Sequence, residues 1–147
     1  MTHFVWTEQF NIGINEIDQQ HRKIVDYINQ LDDAQRKGLS RNEVAHVIMQ
    51  LKDYTHSHFS FEENMMKEAK YEFLIDHRST HARFIKRLTS YEYKLSLGHD
   101  VSKALSAMLV TWLLNHIQRE DADYVESVKV NLQRQVSLIE KFKNLFR

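Results

Sequence analysis

Apolar side chains recur every three or four residues along four long segments of this chain, and no proline interrupts any of them. This spacing places the apolar side chains of each segment along one face of an α-helix. Because proline would break a helix, its absence favours long helices. Glycine occurs only at Gly13, Gly38 and Gly98, and the last two lie where a predicted helix would end. A chain of 147 residues fits one domain, so the sequence predicts a single all-α domain.

Four helices are predicted, and signals in the sequence mark several of their ends. The first ends at Gly38, and the second starts at Ser40 and Glu43, which have the spacing of a capping box. The third ends at Gly98, and Asp100 can cap the fourth. Because the connections are short, we expect an up-down-up-down four-helix bundle with an extended N-terminal segment and a C-terminal amphipathic helix. The inward stripes are Ile14, Ile17, His21, Ile24, Ile28 and Leu31; Val44, Ile48, Leu51, Thr55, His58, Glu62 and Met65; Leu74, His77, His81, Phe84, Leu88, Tyr91 and Leu95; and Leu105, Leu109, Trp112 and His116.

Histidines lie on the inward stripes of all four predicted helices. Burying so many polar side chains in one core without partners would cost several kcal/mol for each group. A metal removes this cost, because neutral imidazoles and ionised carboxylates are good metal ligands. The converging residues are His21, His58, Glu62, His77, His81, His116 and Asp121. Two pairs within this set have i, i+4 spacing, which directs both members of each pair towards a common point.

The remaining histidines and the lack of cysteine limit which side chains can serve as metal ligands. His46 and His56 fall off the stripe of the second helix, His3 precedes the first helix and His99 follows Gly98, so we expect all four at the surface. With no cysteine in the chain, disulfides, iron–sulfur clusters and thiolate zinc sites are excluded. Imidazole and carboxylate are then the only good metal ligands left, and a reducing cytoplasm suits such a chain.

Seven ligands are too many for one transition metal, which takes four to six, so two metals are implied. If both acids bridge the metals together with a solvent-derived oxygen, two octahedra keep one open position for a small ligand. Asp121 follows His116 by five residues, which rotates it off the stripe of a regular helix. We therefore expect the fourth helix to bend or to end nearby.

The order of these residues resembles the hemerythrin family, specifically the single-domain bacteriohemerythrins. The motifs are I-D-Q-Q before His21, H-F-S-F-E from His58, H-R-S-T-H from His77 and H-I-Q-R-E-D from His116. The opening W-T-E-Q-F-N-I-G-I-N-E-I-D-Q-Q-H from Trp6 is also similar, and the likeness extends over roughly residues 4 to 128. Residues 1–128 are thus predicted to be a hemerythrin-like diiron domain.

The resemblance implies a role for each ligand. His77, His81 and His116 would complete the coordination of one iron, and His21 and His58 would serve the other. Glu62, Asp121 and an oxo or hydroxo group would bridge the two irons. Dioxygen would then bind reversibly at the iron that keeps an open position. Iron, rather than manganese or zinc, is implied by the resemblance alone, because this ligand set suits several divalent metals.

Four apolar residues are expected to line the oxygen pocket. Phe59, Trp112 and Leu114 match pocket residues of the family, and Ile24 lies one turn after His21. They would exclude water from the site, and they would belong to the core of the bundle at the same time.

Other functions of a diiron site fit this sequence less well than oxygen binding. A ferritin-like diiron carboxylate protein needs two inward E-x-x-H pairs, but this chain has one, at Glu43 and His46, and its histidine points off the stripe. A site rich in nitrogen ligands favours reversible binding over oxygenase chemistry. The stripes offer no spare acid, base or nucleophile, so we do not expect an enzyme. An oxygen or redox sensor acting through a separate partner protein remains the alternative.

The segment 129–147 contains five basic residues and one acid. Six apolar residues from Val128 onwards have helical spacing: Val128, Leu132, Val136, Ile139, Phe142 and Phe146. Such a basic amphipathic helix can pack on its own bundle or on a second copy, or it can dock on a protein partner or an anionic membrane face. The formal net charge of zero gives no reason to expect nucleic-acid binding. No apolar run is long enough for a transmembrane segment, and residues 1–10 lack the apolar core of an export signal, so we expect a cytoplasmic protein.

Overall fold

The structure is a computed structural model that describes residues 4–145, and every regular element in this range is helical. A single 3-10 turn, Glu8–Phe10, interrupts the extended N-terminal segment. The helices are α1 (Asn15–Lys37), α2 (Arg41–Glu68), α3 (Leu74–Ser96), α4 (Ser102–Asn115) and α5 (Ala122–Leu145). The helix α1 packs against α2 and α4, and α2 packs against α3, which confirms the predicted four-helix bundle. None of the helices in the described range is long and apolar enough to cross a bilayer.

The predicted helix ends agree with the structure, with two changes in detail. Gly38 and Gly98 have φ angles of 63° and 96°, the left-handed conformation that ends a helix and favours glycine. The Ser40 hydroxyl accepts a hydrogen bond from the Glu43 N–H at 3.2 Å, but it donates its own hydrogen to the Glu43 carboxylate, so only half of the capping box forms. Asp100 accepts from the N–H of Ser102 at 3.2 Å, although α4 starts one residue later than an Asp100 cap requires.

Between α4 and α5 the helix continues through a six-residue π-helical segment, His116–Asp121. The helix was expected to bend or to end near Asp121; the regular α4 ends at Asn115, and the π segment joins it to α5 without a break. A π turn closes its backbone hydrogen bonds between residues i and i+5 and so takes in one residue more than an α turn. This extra residue returns Asp121 to the face of the helix that carries His116.

Two apolar clusters fill the bundle, and the predicted ligands lie between them along the helices. The larger cluster includes Ile24, Phe59 and Leu113, and the smaller one is built from Ile14, Ile17, Met66, Tyr124 and Val128. The predicted stripe of α2 needs one correction. Met66 is fully buried in the smaller cluster, whereas Met65 is only partly buried at its edge.

The N-terminal segment is tied to α1 at two places. The side chain of Asn29 accepts from the N–H of Phe4 at 2.9 Å and donates to its carbonyl oxygen at 3.0 Å. Nearer to the helix, the buried carboxylate of Asp18 accepts from the N–H groups of Ile12 and Gly13 at 2.7 and 3.2 Å. These bonds satisfy backbone groups that an extended segment would otherwise leave unpaired.

Candidate metal centre

All seven predicted ligands meet in the centre of the bundle. The helix α1 supplies His21, α2 supplies His58 and Glu62, α3 supplies His77 and His81, and the π segment supplies His116 and Asp121 at its two ends. The side chains are buried, and His77 is the most accessible of them at 7% exposed. The structure thus brings together side chains that lie up to a hundred residues apart in the sequence.

The Glu62 carboxylate lies close to three of the histidines. Its Oε1 is 2.7 Å from the Nε2 of His58, 3.3 Å from the Nε2 of His116 and 3.7 Å from the Nε2 of His81. The other oxygen, Oε2, accepts a hydrogen bond from the hydroxyl of Tyr124 at 2.7 Å. One carboxylate therefore reaches histidines on three helices, as a bridging ligand must.

The Asp121 carboxylate is also close to three histidines. Its Oδ2 is 2.9 Å from the Nε2 of His21, and its Oδ1 is 3.1 Å from the Nε2 of His116 and 3.3 Å from the Nε2 of His77. In a regular α-helix Asp121 would be turned away from His116, and it is the π segment that makes these distances possible.

The chemistry of this cluster fits a pair of cations. The Nε2 atoms of His21, His58 and His81 are buried and form no hydrogen bond of acceptable geometry, although carboxylate oxygens lie within 4 Å of each. Ring nitrogens and carboxylates that face a shared space in this way are typical of a metal site. Two overlapping groups could each hold an ion: His21, His58, Glu62, His116 and Asp121; and Glu62, His77, His81 and His116.

Burial sets the protonation state of these groups. It lowers the pKa of His81 from 6.5 to about 2, and burial together with the nearby His58 holds the pKa of His21 well below 6.5. Burial alone would raise the pKa of Glu62, but His58 and His116 outweigh it and hold this pKa well below 4.5. Neutral imidazoles beside an ionised carboxylate are the forms that bind a metal.

These pKa shifts predict that the metal-free protein loses stability in acid. Below pH 6.5, His21 and His81 become protonated in the unfolded chain but stay neutral in the folded chain. The free energy of unfolding therefore falls as the pH falls. Glu62 adds to the loss below pH 4.5 for the same reason. Urea titrations of the metal-free protein between pH 7.5 and pH 5 measure this effect. A free energy of unfolding that stays constant or rises towards pH 5 would contradict the prediction.

The other histidines lie where the sequence places them, as far as the structure describes them. His46, His56 and His99 are exposed, which confirms the prediction for these three. His3 lies outside the described residues.

Three polar residues around the cluster were missed by the sequence analysis. Gln20 Oε1 is 2.6 Å from the Nδ1 of His58, and Glu63 Oε2 is 3.2 Å from the Nδ1 of His81. Tyr124 is fully buried and holds Glu62. A signal for Tyr124 exists, because it follows Asp121 by three residues and so shares its face of the helix. Gln20 and Glu63 each stand next to a predicted ligand in sequence, a position that helical periodicity turns away from the stripe.

Removing the Tyr124 hydroxyl should destabilise the metal-free protein. Tyr124→Phe leaves the buried Oε2 of Glu62 without its donor, and an unpaired buried acceptor of this kind costs about 2 kcal/mol. The loss is measured as the change in the free energy of unfolding in urea. Tyr93→Phe is the matched control, because Tyr93 is 64% exposed and should tolerate the change. Equal effects of the two substitutions would contradict the role given to Tyr124.

Aromatic rings form much of the wall around the cluster. Phe59 stacks on the ring of His81 with centroids 3.7 Å apart, and Trp112 stacks on His116 at 4.6 Å and on Phe84 at 3.8 Å. Ile24 is fully buried in the larger apolar cluster. Phe59 and Trp112 thus lie against ligand histidines, and Ile24 lies in the apolar core of the bundle.

Leu114, the fourth predicted pocket residue, is placed differently. It is only partly buried and belongs to neither apolar cluster, whereas its neighbour Leu113 is fully buried in the larger one. The reason is helical rotation, since Leu113 precedes His116 by three residues and shares its face, while Leu114 precedes it by two.

Comparison with known proteins agrees with this geometry. The profile of the family described as "Hemerythrin HHE cation binding domain" matches residues 12–128. Bacteriohemerythrin of Pseudomonas aeruginosa strain PAO1 is 43% identical over 136 residues, which cover 92% of this chain and 88% of that protein. Bacteriohemerythrin of Clostridium acetobutylicum is 32% identical over 129 residues, covering 84% and 99% of the two chains.

A solved structure shows the same fold. The crystal structure of a wild-type hemerythrin superposes with a TM-score of 0.80 at 27% sequence identity, and the match covers 86% of this chain and 98% of that one. The hemerythrin domain binds a diiron centre, and the cluster of histidines and acids is suited to hold one. On the family profile, the identity to its relatives and the shared fold, the chain belongs to the hemerythrin family.

Proposed function

We propose that this protein binds dioxygen reversibly at a diiron centre held by the seven converging residues, as an oxygen carrier, storage or delivery protein. Glu62 and Asp121 would bridge the irons, together with an oxo or hydroxo group. When bound, the two irons supply the electrons that reversible dioxygen binding requires. The chain itself positions the ligands, keeps the imidazoles of His21 and His81 neutral and excludes water.

The arrangement of the rings supports the proposed division of the histidines. The ring centroid of His116 is 5.2 Å from that of His81 and 5.6 Å from that of His77. It is farther from the rings of His21 and His58, at 5.9 and 6.1 Å. We assign His77, His81 and His116 to one iron, and His21 and His58 to the other. With His21 and His58 as its only histidines, the second iron would have a position left for a small molecule.

The observation that carries this proposal is a nitrogen-rich ligand cluster enclosed by apolar walls. We propose Ile24, Phe59, Trp112 and, in place of Leu114, Leu113 as the residues that keep water from the bound gas. Exclusion of water matters because proton delivery promotes irreversible oxidation of such a site. This wall suits dioxygen, which needs no hydrogen-bonding groups to enter an apolar pocket.

Buried acids outside the cluster have structural partners, which supports a binding role over catalysis. Asp18 accepts from two backbone N–H groups, and Asp32 pairs with Arg36 at 3.0 Å. In the part of the chain that the structure describes, neither acid is placed to act as a base on an organic substrate.

Optical spectroscopy tests the proposal. The anaerobically reduced, iron-loaded protein is measured before exposure to air, after exposure and again after purging with argon. We expect two irons per chain and a visible charge-transfer band that appears with air and disappears with argon. His56→Ala, at an exposed position of α2, is the matched control and should behave like the parent protein. A band that does not reverse, or fewer than two irons per chain, would contradict the proposal.

An oxygen or redox sensor acting through a separate partner protein is a second candidate, and the course of α5 favours it. The ligand Asp121 is followed directly by α5, which continues to Leu145, beyond the end of the family match at residue 128. Val128 is buried, but Val130, Leu132 and Leu138 are 44%, 38% and 65% exposed. We infer that the described part of this segment, residues 129–145, is a docking or self-association segment rather than part of the compact domain. The side chains of Val136, Ile139 and Phe142, and all of Phe146, lie outside the described residues.

Hydrogen exchange of the backbone amides distinguishes the two candidates. A sensor should show exchange rates in residues 129–145 that differ between the reduced protein without oxygen and the oxygenated protein. In a carrier the differences should stay near the ligands. Unchanged exchange beyond Val128 in the full-length protein would remove the sensor candidate.

A further inference from the structure

Two ligand histidines have hydrogen-bond partners of different charge on the far side of their rings. The Nδ1 of His58 is 2.6 Å from the amide oxygen of Gln20, and the Nδ1 of His81 is 3.2 Å from a carboxylate oxygen of Glu63. Both partner atoms are acceptors, so each Nδ1 carries the hydrogen and each Nε2 keeps its lone pair for the cluster. The two halves of the site thus have the same arrangement, with a neutral partner in one and an acidic one in the other.

The Glu63 carboxylate is also fixed in place from α3. Its Oε1 accepts from the Nε of Arg78 at 3.1 Å, while its Oε2 faces His81. Arg78 precedes His81 by three residues, so both lie on the face of α3 that meets α2. The result is a chain of contacts, Arg78 to Glu63 to His81, that orients the histidine ring.

A carboxylate that accepts the Nδ1 hydrogen makes an imidazole a stronger donor to a metal than a neutral amide does. We propose that Glu63 is a positioning residue that makes the His77–His81–His116 position the tighter of the two metal positions. This position then fills first and retains its ion when the other is lost. The inference rests on the ligand assignment under the proposed function.

Cobalt(II) titration of the metal-free, full-length protein tests this inference by calorimetry and visible absorption. The parent protein should bind two ions per chain in two resolved steps. Glu63→Gln should weaken the tighter step about 10-fold to 100-fold and leave the weaker step unchanged. Gln20→Glu should strengthen the weaker step. The double variant, with both Glu63→Gln and Gln20→Glu, should fill the two metal positions in the reverse order. Glu68→Gln, at an exposed acid of the same helix, is the matched control and should change neither step.

The outcomes separate this inference from the proposed function. If the parent binds two ions but Glu63→Gln alters both steps equally or neither, Glu63 does not set the order and the inference is overturned. If the parent binds fewer than two ions, the proposed two-metal centre fails together with it. If Glu63 had only a structural role, Glu63→Gln would lower the thermal stability of the metal-free protein. Gln20→Glu would then not strengthen the weaker binding step.

Discussion

His77→Ala is expected to lower the metal content from two ions per chain to one or none. The imidazole faces Asp121 Oδ1 at 3.3 Å and belongs to the same candidate group as Glu62, His81 and His116. An ion present at a thousand times its dissociation constant stabilises a folded protein by about 4 kcal/mol. For a chain of this size, loss of that contribution corresponds to a decrease in Tm of about 10 °C. Metal analysis and thermal unfolding of the iron-loaded variant measure the two effects.

The control for His77→Ala is His46→Ala, which changes an exposed histidine on α2 and should leave metal content and Tm unchanged. Comparison of the metal-free proteins adds a second check. Without metal, His77→Ala has only the cost of the cavity that it leaves, so the two variants should then differ less than when loaded. Equal metal loss in both variants would show that the inward stripe of α3 is assigned wrongly.

Glu62→Ala is expected to have a larger effect and to remove both ions. Its carboxylate lies within 4 Å of histidines on three helices, so no metal position in the cluster is independent of it. The substitution also leaves the Tyr124 hydroxyl without its acceptor in a fully buried position. We expect less than half an ion per chain and no visible band with air, measured by metal analysis and absorption.

Glu68→Ala is the matched control for Glu62→Ala, because it removes an exposed glutamate from the same helix and should bind two ions. The comparison with His77→Ala is equally informative. If Glu62 bridges, its loss should remove more metal than the loss of a histidine that serves one ion. Retention of one tightly bound ion in Glu62→Ala would show that this carboxylate serves a single metal.

Local signals were enough to predict most of the helix ends and the core. Ser40, Gly38 and Gly98 act through bonds to residues a few positions away or through their own backbone angles, so the sequence near them determines the result. The inward stripes are also local, because a residue three or four positions along the chain lies on the same face of a helix. That is why the burial of His58, His77 and His116 follows from spacing, and why His46 and His56 are exposed.

Side-chain spacing was not sufficient where the helix is not regular, or where a neighbour on another helix decides which residues meet. Asp121 reaches His21 and His77 because the π segment takes in one extra residue, and spacing alone does not show such a segment. Leu114 was named as a pocket residue by family likeness, but rotation around the helix axis leaves it partly buried and buries its neighbour Leu113.

By itself the sequence determined that this protein is a helical bundle and which histidines face its interior, since both depend on the repeat of one helix. Only the tertiary structure decided how these residues are paired. It placed Glu62 against three helices, Tyr124 against Glu62, and Gln20 and Glu63 against opposite halves of the cluster. The physical reason is that such contacts depend on the distance and rotation between helices. Packing of the whole core sets these quantities, and no local stretch of sequence encodes them.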